Sequence, residues 1–231
     1  VSGLNVAIVQ LGDAVVVIDP GYADPSPDGN GETSNVARSA GLRVGMEQAG
    51  IQPEQVTHVV ITHPHGDHFG GVTVERDGQP EPRFPNARYL LGRADWNENP
   101  ERRSWTSRLD ERIDAIYRLG RLDLLDGDQV IAPGIRAIRA PGETPGHQIV
   151  RVQSNGQTWY YLGDLFHHPC EFIHLDWVSP GRDRAVAIDS RQRLLTEATA
   201  SNAVLVYTHE RFPPWGRTVP TASGYAWERL D

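Results

Sequence analysis

Residues 56–68, Val56-Thr57-His58-Val59-Val60-Ile61-Thr62-His63-Pro64-His65-Gly66-Asp67-His68, run an apolar strand straight into three imidazoles and a carboxylate. Histidine is scarce, and such groups are costly to bury unpaired, so this density within six residues points to a bound cation. Imidazole nitrogen and carboxylate oxygen are natural ligands of zinc and similar ions. Residues two apart in an extended segment face the same way, so His63 and His65 can share one ion. Gly66 lets the chain turn, and Asp67 and His68 can then face a second ion. A polar surface loop with chance histidines is the plainer reading. It sits badly with the apolar strand before the cluster and with Gly70-Gly71 after it. His58 lies on the strand itself and reads as a structural hydrogen-bonding residue.

Working outward, Val6–Gln10 and Ala14–Ile18 are β-branched runs around Leu11-Gly12-Asp13, the pattern of a hairpin, and Asp19-Pro20-Gly21 ends the second run. Residues 22–33 read as a loop, and Ser34 to Ala49 as a helix stopped by Gly50 with Pro53 beyond. Ala87–Leu91 reads as a strand. From Gly92 to Leu119 the pattern is helical, with Leu109, Ile113, Ile116 and Tyr117 on one face. Short strands follow over 122–139. Gln148–Val152 and Thr158–Leu162 then pair around Asn155-Gly156, residues 184–200 are helical, and Ala203–Tyr207 leads into His209. This alternation predicts sheets covered by helices in an α/β fold, as one domain over residues 1–231.

Composition narrows the chemistry. The chain has 231 residues, is 39% hydrophobic and carries a formal charge of −8, with no basic block. Nucleic-acid binding needs clustered surface cations, so that partner is not expected. All 22 basic residues are arginine, which removes Schiff-base lysine chemistry. Cys170 is the only cysteine, so no intrachain disulfide forms, and it reads as a packed thiol. No run of apolar residues is long enough for a membrane helix, and no membrane partner is expected. A cytoplasmic location is expected, with a processed leader before Val1 left open.

His63-x-His65-x-Asp67-His68 after an apolar strand resembles the signature of the metallo-β-lactamase-fold hydrolase superfamily. Ile18-Asp19-Pro20-Gly21, Pro145-Gly146-His147, Gly163-Asp164 and Thr208-His209 follow in the order of that family's other motifs. The resemblance implies a four-layer αββα sandwich with two divalent metal ions, zinc by first expectation and Mn²⁺, Fe²⁺ or Co²⁺ as alternatives, at one edge of two facing sheets. It assigns His63, His65 and His147 to one ion and Asp67, His68 and His209 to the other. Asp164 would bridge them together with a hydroxide. Asp19 would support a ligand histidine from behind, and Glu143 and Thr144 would shape the turn before His147.

Two adjacent ions lower the pKa of a shared water, aim it at a carbonyl or phosphoryl centre and neutralise the developing charge. Asp164 and Asp67 could both help to move the proton. No side-chain nucleophile is then needed, and no Gly-x-Ser-x-Gly elbow is present. Zinc β-lactamases mostly place a cysteine, or no bridging carboxylate, where this chain has Asp164, so β-lactam hydrolysis ranks as an alternative. So do other amide or thioester hydrolysis and a non-catalytic metal-binding scaffold. Phe84-Pro85-Asn86-Ala87, the run Gly163-Asp164-Leu165-Phe166-His167-His168 and the helix around Arg191–Leu195 resemble the lactonase, arylesterase and methyl-parathion-hydrolase-like branch. That branch implies a small ester or lactone substrate, phosphotriester hydrolysis as a side reaction, and a homodimer. His167 stands where acyl-homoserine lactonases carry tyrosine. It is read either as a catalytic group that polarises the carbonyl or protonates the leaving group, or as a partner of a metal ligand. Trp96, Trp105, Phe172, Trp177, Phe212 and Trp215 are candidates for an apolar wall beside the ions.

Overall fold

Strand β2 (Ala14–Ile18) is buried along its whole length, as a β-branched strand covered on both faces should be. The computed structural model describes residues 3–22, 41–97, 107–222 and 224–230, with the side chains of 107–110 left aside. The expected loop over 22–33 and the first part of the expected Ser34–Ala49 helix therefore lie almost wholly outside the described residues. The part within them is α1 (Gly41–Gln48).

β2 pairs antiparallel with β1 (Ala7–Leu11), and the partners Leu11↔Ala14 leave Gly12-Asp13 as a two-residue turn. On its other side β2 runs parallel to β3 (His58–Ile61). After β3 come the short helix α2 (Gly66–Phe69) and a small hairpin of β4 (Thr73–Arg76) with β5 (Gln79–Pro82). β6 (Arg88–Gly92) and β7 (Leu122–Leu125) complete a five-stranded sheet in the order β1-β2-β3-β6-β7. The helical stretch expected over 92–119 contains α3 (Arg93–Asn97) and α4 (Ser107–Arg118), with residues 98–106, including Trp105, outside the description.

The second sheet is built from β8 (Gln129–Ala132), β9 (Ile135–Arg139), β10 (Gln148–Ser154), β11 (Gln157–Tyr161), β12 (Val204–Val206), β13 (Trp215–Thr221) and β14 (Gly224–Arg229). Its order is β14-β13-β12-β11-β10-β9-β8. Helix α5 (Arg184–Ala200) connects β11 to β12, which run parallel. Its first turn is capped by the Asp183 carboxylate, which accepts the Val186 N–H at 3.2 Å.

Three apolar clusters set the layers. Val16, Ile18, Val60 and Leu90 of the first sheet meet Ile135, Ala137, Val150 and Tyr161 of the second. The alternate residues Val15, Val17, Val59 and Ile61 face the opposite way, onto Met46 of α1 and Ile113 and Ile116 of α4. On the far side of the second sheet, Ile149, Tyr160 and Leu205 pack on Leu194, Leu195 and Ala198 of α5. The molecule is thus an αββα sandwich. The segments that leave β2, β3, β11 and β12, together with the turn from β9 to β10, carry Asp19, His63–His68, Asp164, His209 and His147 to one edge.

Candidate metal centre

Thr62 is the pivot of the first loop. Its N–H donates to Asp19 Oδ1 at 2.8 Å and its hydroxyl to Asp19 Oδ2 at 2.7 Å. Asp19 is 1% exposed and sits in the left-handed region at φ 50°. The hydrogen bond from its own N–H to Val60 O, 2.9 Å, keeps the turn tied to β3. With the Thr62 hydroxyl committed to Asp19, its oxygen is open to the Nδ1–H of His63 at 3.0 Å.

The same logic sets the other rings. Asp19 Oδ2 accepts Nδ1–H of His68 at 2.8 Å, Ala140 O accepts Nδ1–H of His147 at 2.9 Å, and Gly3 O accepts Nδ1–H of His209 at 3.2 Å. The partners therefore assign the outward proton to Nδ1, leaving Nε2 of all four rings turned towards the middle. Gly3 is itself placed by a strap in which its N–H donates to His209 O at 3.1 Å and Asn5 Nδ2 donates to Thr208 O at 2.9 Å.

Asp164 lies at the centre and is 5% exposed. Its two oxygens face different groups. Oδ1 is 3.2 Å from His68 Nε2 and 3.1 Å from His209 Nε2, whereas Oδ2 is 3.5 Å from His63 Nε2 and 3.2 Å from His167 Nε2. Two sets of candidate donors result, each with its ligand atoms within 4.8 Å of one another: His63, His65, Glu143 and Asp164, and separately Asp67, His68 and His209. His68 Nε2 and Asp164 Oδ1 are buried and, among the described residues, neither makes a hydrogen bond. Buried polar atoms are almost always satisfied, so this facing pair, 3.2 Å apart, is a place for a shared proton in the metal-free protein and for a cation when metal binds.

His147 stands beside the first set without joining it. Its ring centroid is 5.2 Å from that of His63, and its Nε2 accepts the Asp164 N–H at 3.0 Å. Gly163 makes this approach feasible, because at φ +52° a Cβ would fall 2.7 Å from His147 Nε2. Glu143, read from sequence only as a turn residue, instead reaches the cluster, with Oε1 3.5 Å from His65 Nδ1 and 2.8 Å from Arg182 Nη2. Arg182 Nη2 also lies 3.3 Å from His65 Nε2. An isolated arginine in a Pro/Gly loop carries no signal of this, and sequence reasoning missed it. Asp95 was missed too. Fully buried, it accepts Thr144 Oγ1–H at 2.8 Å and Gly146 N–H at 2.9 Å, and so fixes the turn that bears Glu143 and His147.

The charges follow from these contacts. Burial opposes the cation of His68, yet Asp19 and Asp164 outweigh it and hold its pKa well above the usual imidazole value. Burial likewise opposes protonation of His209 and His167, and Asp164 raises both. Burial wins at His147, pushed down to about 4, and at His63, where His68 adds to the depression. Asp164 is disfavoured as an anion by burial, but His68, His167 and His209 hold its carboxyl well below the usual range.

The aromatic candidates divide. Phe172 is core, edge-on to Phe166 at 4.6 Å and stacked on Tyr207 at 5.8 Å. Trp96 packs on Tyr117 at 4.9 Å. Trp177, 54% exposed and stacked on His174, and Phe212, 76% exposed and edge-on to Trp215, remain open to solvent. His58 bonds Thr57 Oγ1 at 2.9 Å on β3, and Cys170 is a half-buried thiol. No helix among the described residues is long and apolar enough to cross a membrane.

A family model described as the metallo-beta-lactamase superfamily matches residues 2–209. An N-acyl homoserine lactonase of Bacillus cereus is 21% identical over 165 residues, which cover 71% of this chain and 60% of the relative. A probable metallo-hydrolase of Mycobacterium tuberculosis is 25% identical over 183 residues, 71% of this chain and 57% of the relative. The chain thus spans about 60% of the length of the curated lactonases it matches. Among solved structures, AidC, described as a dizinc quorum-quenching lactonase in complex with a product, superposes with a TM-score of 0.81. It is 23% identical, over 100% of this chain and 80% of that one. AbOPH, described as a hydrolase in the beta lactamase superfamily, gives 0.79 at 21% identity with the same coverage.

Proposed function

Because this chain belongs to the metallo-β-lactamase superfamily, we propose that it is a dinuclear metal-dependent hydrolase of carboxylic esters or lactones, with phosphotriester hydrolysis as a side activity. The observation that carries the reading is Asp164, whose two oxygens face two separate sets of ligand atoms. His63, His65 and His147 would hold one ion, Asp67, His68 and His209 the other, and Asp164 both. Glu143 lies near enough to ligate, but its carboxylate is already paired with Arg182 at 2.8 Å, so we assign it to holding His65 rather than to ligation. Burial keeps His147 neutral, as a ligand must be, and to ligate its Nε2 would have to exchange the Asp164 N–H it now accepts for the ion. Two such ions, when bound, supply an activated water and neutralise charge that develops on the substrate oxygens.

The protein's own groups do the rest. The buried carboxylates of Asp19 and Asp164 hold the imidazoles at fixed angles, so little reorganisation is left for the reaction itself. Asp67, one quarter exposed with Oδ2 3.6 Å from His209 Nε2, would help to move the proton at the solvent side. His167, one third exposed, lines the same side with its ring parallel to that of His209. Trp177 and Phe212 are the exposed aromatics that would supply apolar surface for an acyl or aryl group. The lactonase names among the relatives support the substrate class, and zinc is proposed on the same footing from the dizinc description of AidC.

A screen with aryl acetates, γ- and δ-lactones, phosphotriesters and a chromogenic cephalosporin tests this directly. Ester or lactone turnover is expected to vanish on chelation and return with Zn²⁺, Mn²⁺ or Co²⁺. Full activity in chelated protein would end the proposal, and cephalosporin turnover alone would move it to the β-lactamase alternative.

Metal uptake is also expected to release protons. His68 and His209 have pKa values raised above the ordinary 6.5, so in the metal-free protein they hold protons up to a higher pH than free imidazole does. Ligation needs the neutral ring, so affinity should fall as pH drops and protons should leave on binding near pH 7. His63 and His147, already neutral, add none. Zinc titration calorimetry in two buffers of different ionisation enthalpy measures the release. Identical heats in both would show that these rings do not hold protons in the metal-free protein at that pH.

A further inference from the structure

Arg191 on α5 is a cation that is 3% exposed, and the hydrolytic reading above leaves it without a task. Its Nε donates to Leu165 O at 2.8 Å, and its Nη1 to Leu175 O at 3.1 Å and Trp177 O at 2.7 Å. Its Nη2 lies 3.3 Å from Glu171 Oε2, and its guanidinium covers the Phe166 ring at 4.9 Å. One side chain thus closes both ends of the segment that follows Asp164. The planar fork can serve three carbonyls and a carboxylate at once, which an ammonium cannot.

Glu171 passes this anchoring on. Its Oε2 accepts the His167 N–H at 2.7 Å and lies 3.4 Å from the His168 N–H, and its Oε1 is 3.9 Å from His167 Nδ1. His167 Nε2 then faces Asp164 Oδ2 at 3.2 Å. Burying an ion pair is costly, and an apolar pair of similar volume would anchor a loop at least as well. What the charged pair adds is a fixed acceptor for the backbone of His167. We infer that Glu171 and Arg191 are positioning residues that fix the turn presenting the His167 imidazole to Asp164 and to the open side of the site. The inference rests on the hydrolase reading only for its kinetic consequence, since the contacts hold without it.

The experiment compares Glu171→Gln, Arg191→Lys, His167→Asn and the double variant Glu171→Gln/His167→Asn in the full zinc-loaded chain. Glu171→Gln keeps the shape but removes the charge that pairs with Arg191, and its NH₂ meets either the His167 N–H at the Oε2 place or the His167 Nδ1 side at the Oε1 place. It is expected to lower kcat about tenfold, in the range of outer-shell substitutions, with KM within about twofold and metal content unchanged. In the His167→Asn background the same change is expected to cost less than about twofold, because its route to the reaction has gone. Equal losses in both backgrounds would overturn the inference. The second readout is the side-chain ¹⁵N resonances of His167, which should move in Glu171→Gln and in Arg191→Lys, and unmoved resonances would overturn it equally. If Arg191→Lys fails to fold, Glu171→Gln carries both measurements. If the parent chain hydrolyses nothing, the functional proposal fails while the resonances still judge the positioning.

Discussion

Asp164→Ala is expected to abolish hydrolysis and empty the centre together. Its carboxylate faces both ligand sets, with Oδ1 within 3.2 Å of His68 and His209 and Oδ2 within 3.5 Å of His63 and His167. Its removal leaves five or six imidazoles around a space without a central anion, and two cations held close together would then repel one another unshielded. Outer-shell partners alone are worth 10–100-fold, so loss of the shared ligand should cost about 10³-fold or more in kcat/KM. Bound metal should fall from two per chain towards one or none. Asp164→Asn is the sharper test, because it keeps the volume and one carbonyl oxygen but only one good ligand atom. Elemental analysis beside the rate assay separates the two failures. A variant with two metals and a rate within threefold of the parent would show that Asp164 does not bridge.

Much of this centre can be read in the sequence because strands deliver it. His63 to His68 are contiguous and follow an apolar run that could only be a buried strand. Asp164 and His209 likewise follow expected strands, observed as Gln157–Tyr161 and Val204–Val206. The expected hairpin, the strand pair around Asn155-Gly156 and the 184–200 helix stand where periodicity and turn residues put them. Illegible parts share a different cause, namely contacts distant in sequence and made by polar side chains from loops. Glu143 meets Arg182 across 39 positions, and Asp95 holds the 144–146 turn across about 50, with no local pattern to announce either. The last hairpin, β13 with β14, was also invisible as such. Pro213, Pro214 and Pro220 argue against strands, yet β13 accommodates Pro220 opposite Tyr225 near its end. The small hairpin around Asp77-Gly78 is two-sided and polar, so alternation could not reveal it.

Asp19→Asn should disable the centre through a proton in the wrong place, with the fold intact. The carboxylate accepts on both oxygens: Oδ1 from the Thr62 N–H, and Oδ2 from the Thr62 hydroxyl and from His68 Nδ1–H. An amide has only one accepting end. With its NH₂ towards Oδ1's place it meets the Thr62 N–H, a donor that cannot turn away. With the NH₂ towards Oδ2's place it meets His68, which must then accept at Nδ1 and carry its proton on Nε2, the atom 3.2 Å from Asp164 Oδ1. A ring protonated at Nε2 cannot ligate there. Asp19→Gly is the control for backbone strain, since glycine accepts φ 50° without cost yet supplies no carboxylate. That variant strands buried donors at about 1–3 kcal/mol each and should lower the unfolding free energy by several kcal/mol. The asparagine variant, by contrast, should melt close to the parent, bind the second metal at least about tenfold more weakly and lose activity in proportion. Zinc competition with a chromophoric chelator and thermal unfolding, run on both variants, tell the two effects apart. An asparagine variant that keeps parental affinity at both sites would show that His68 owes its tautomer to something other than Asp19.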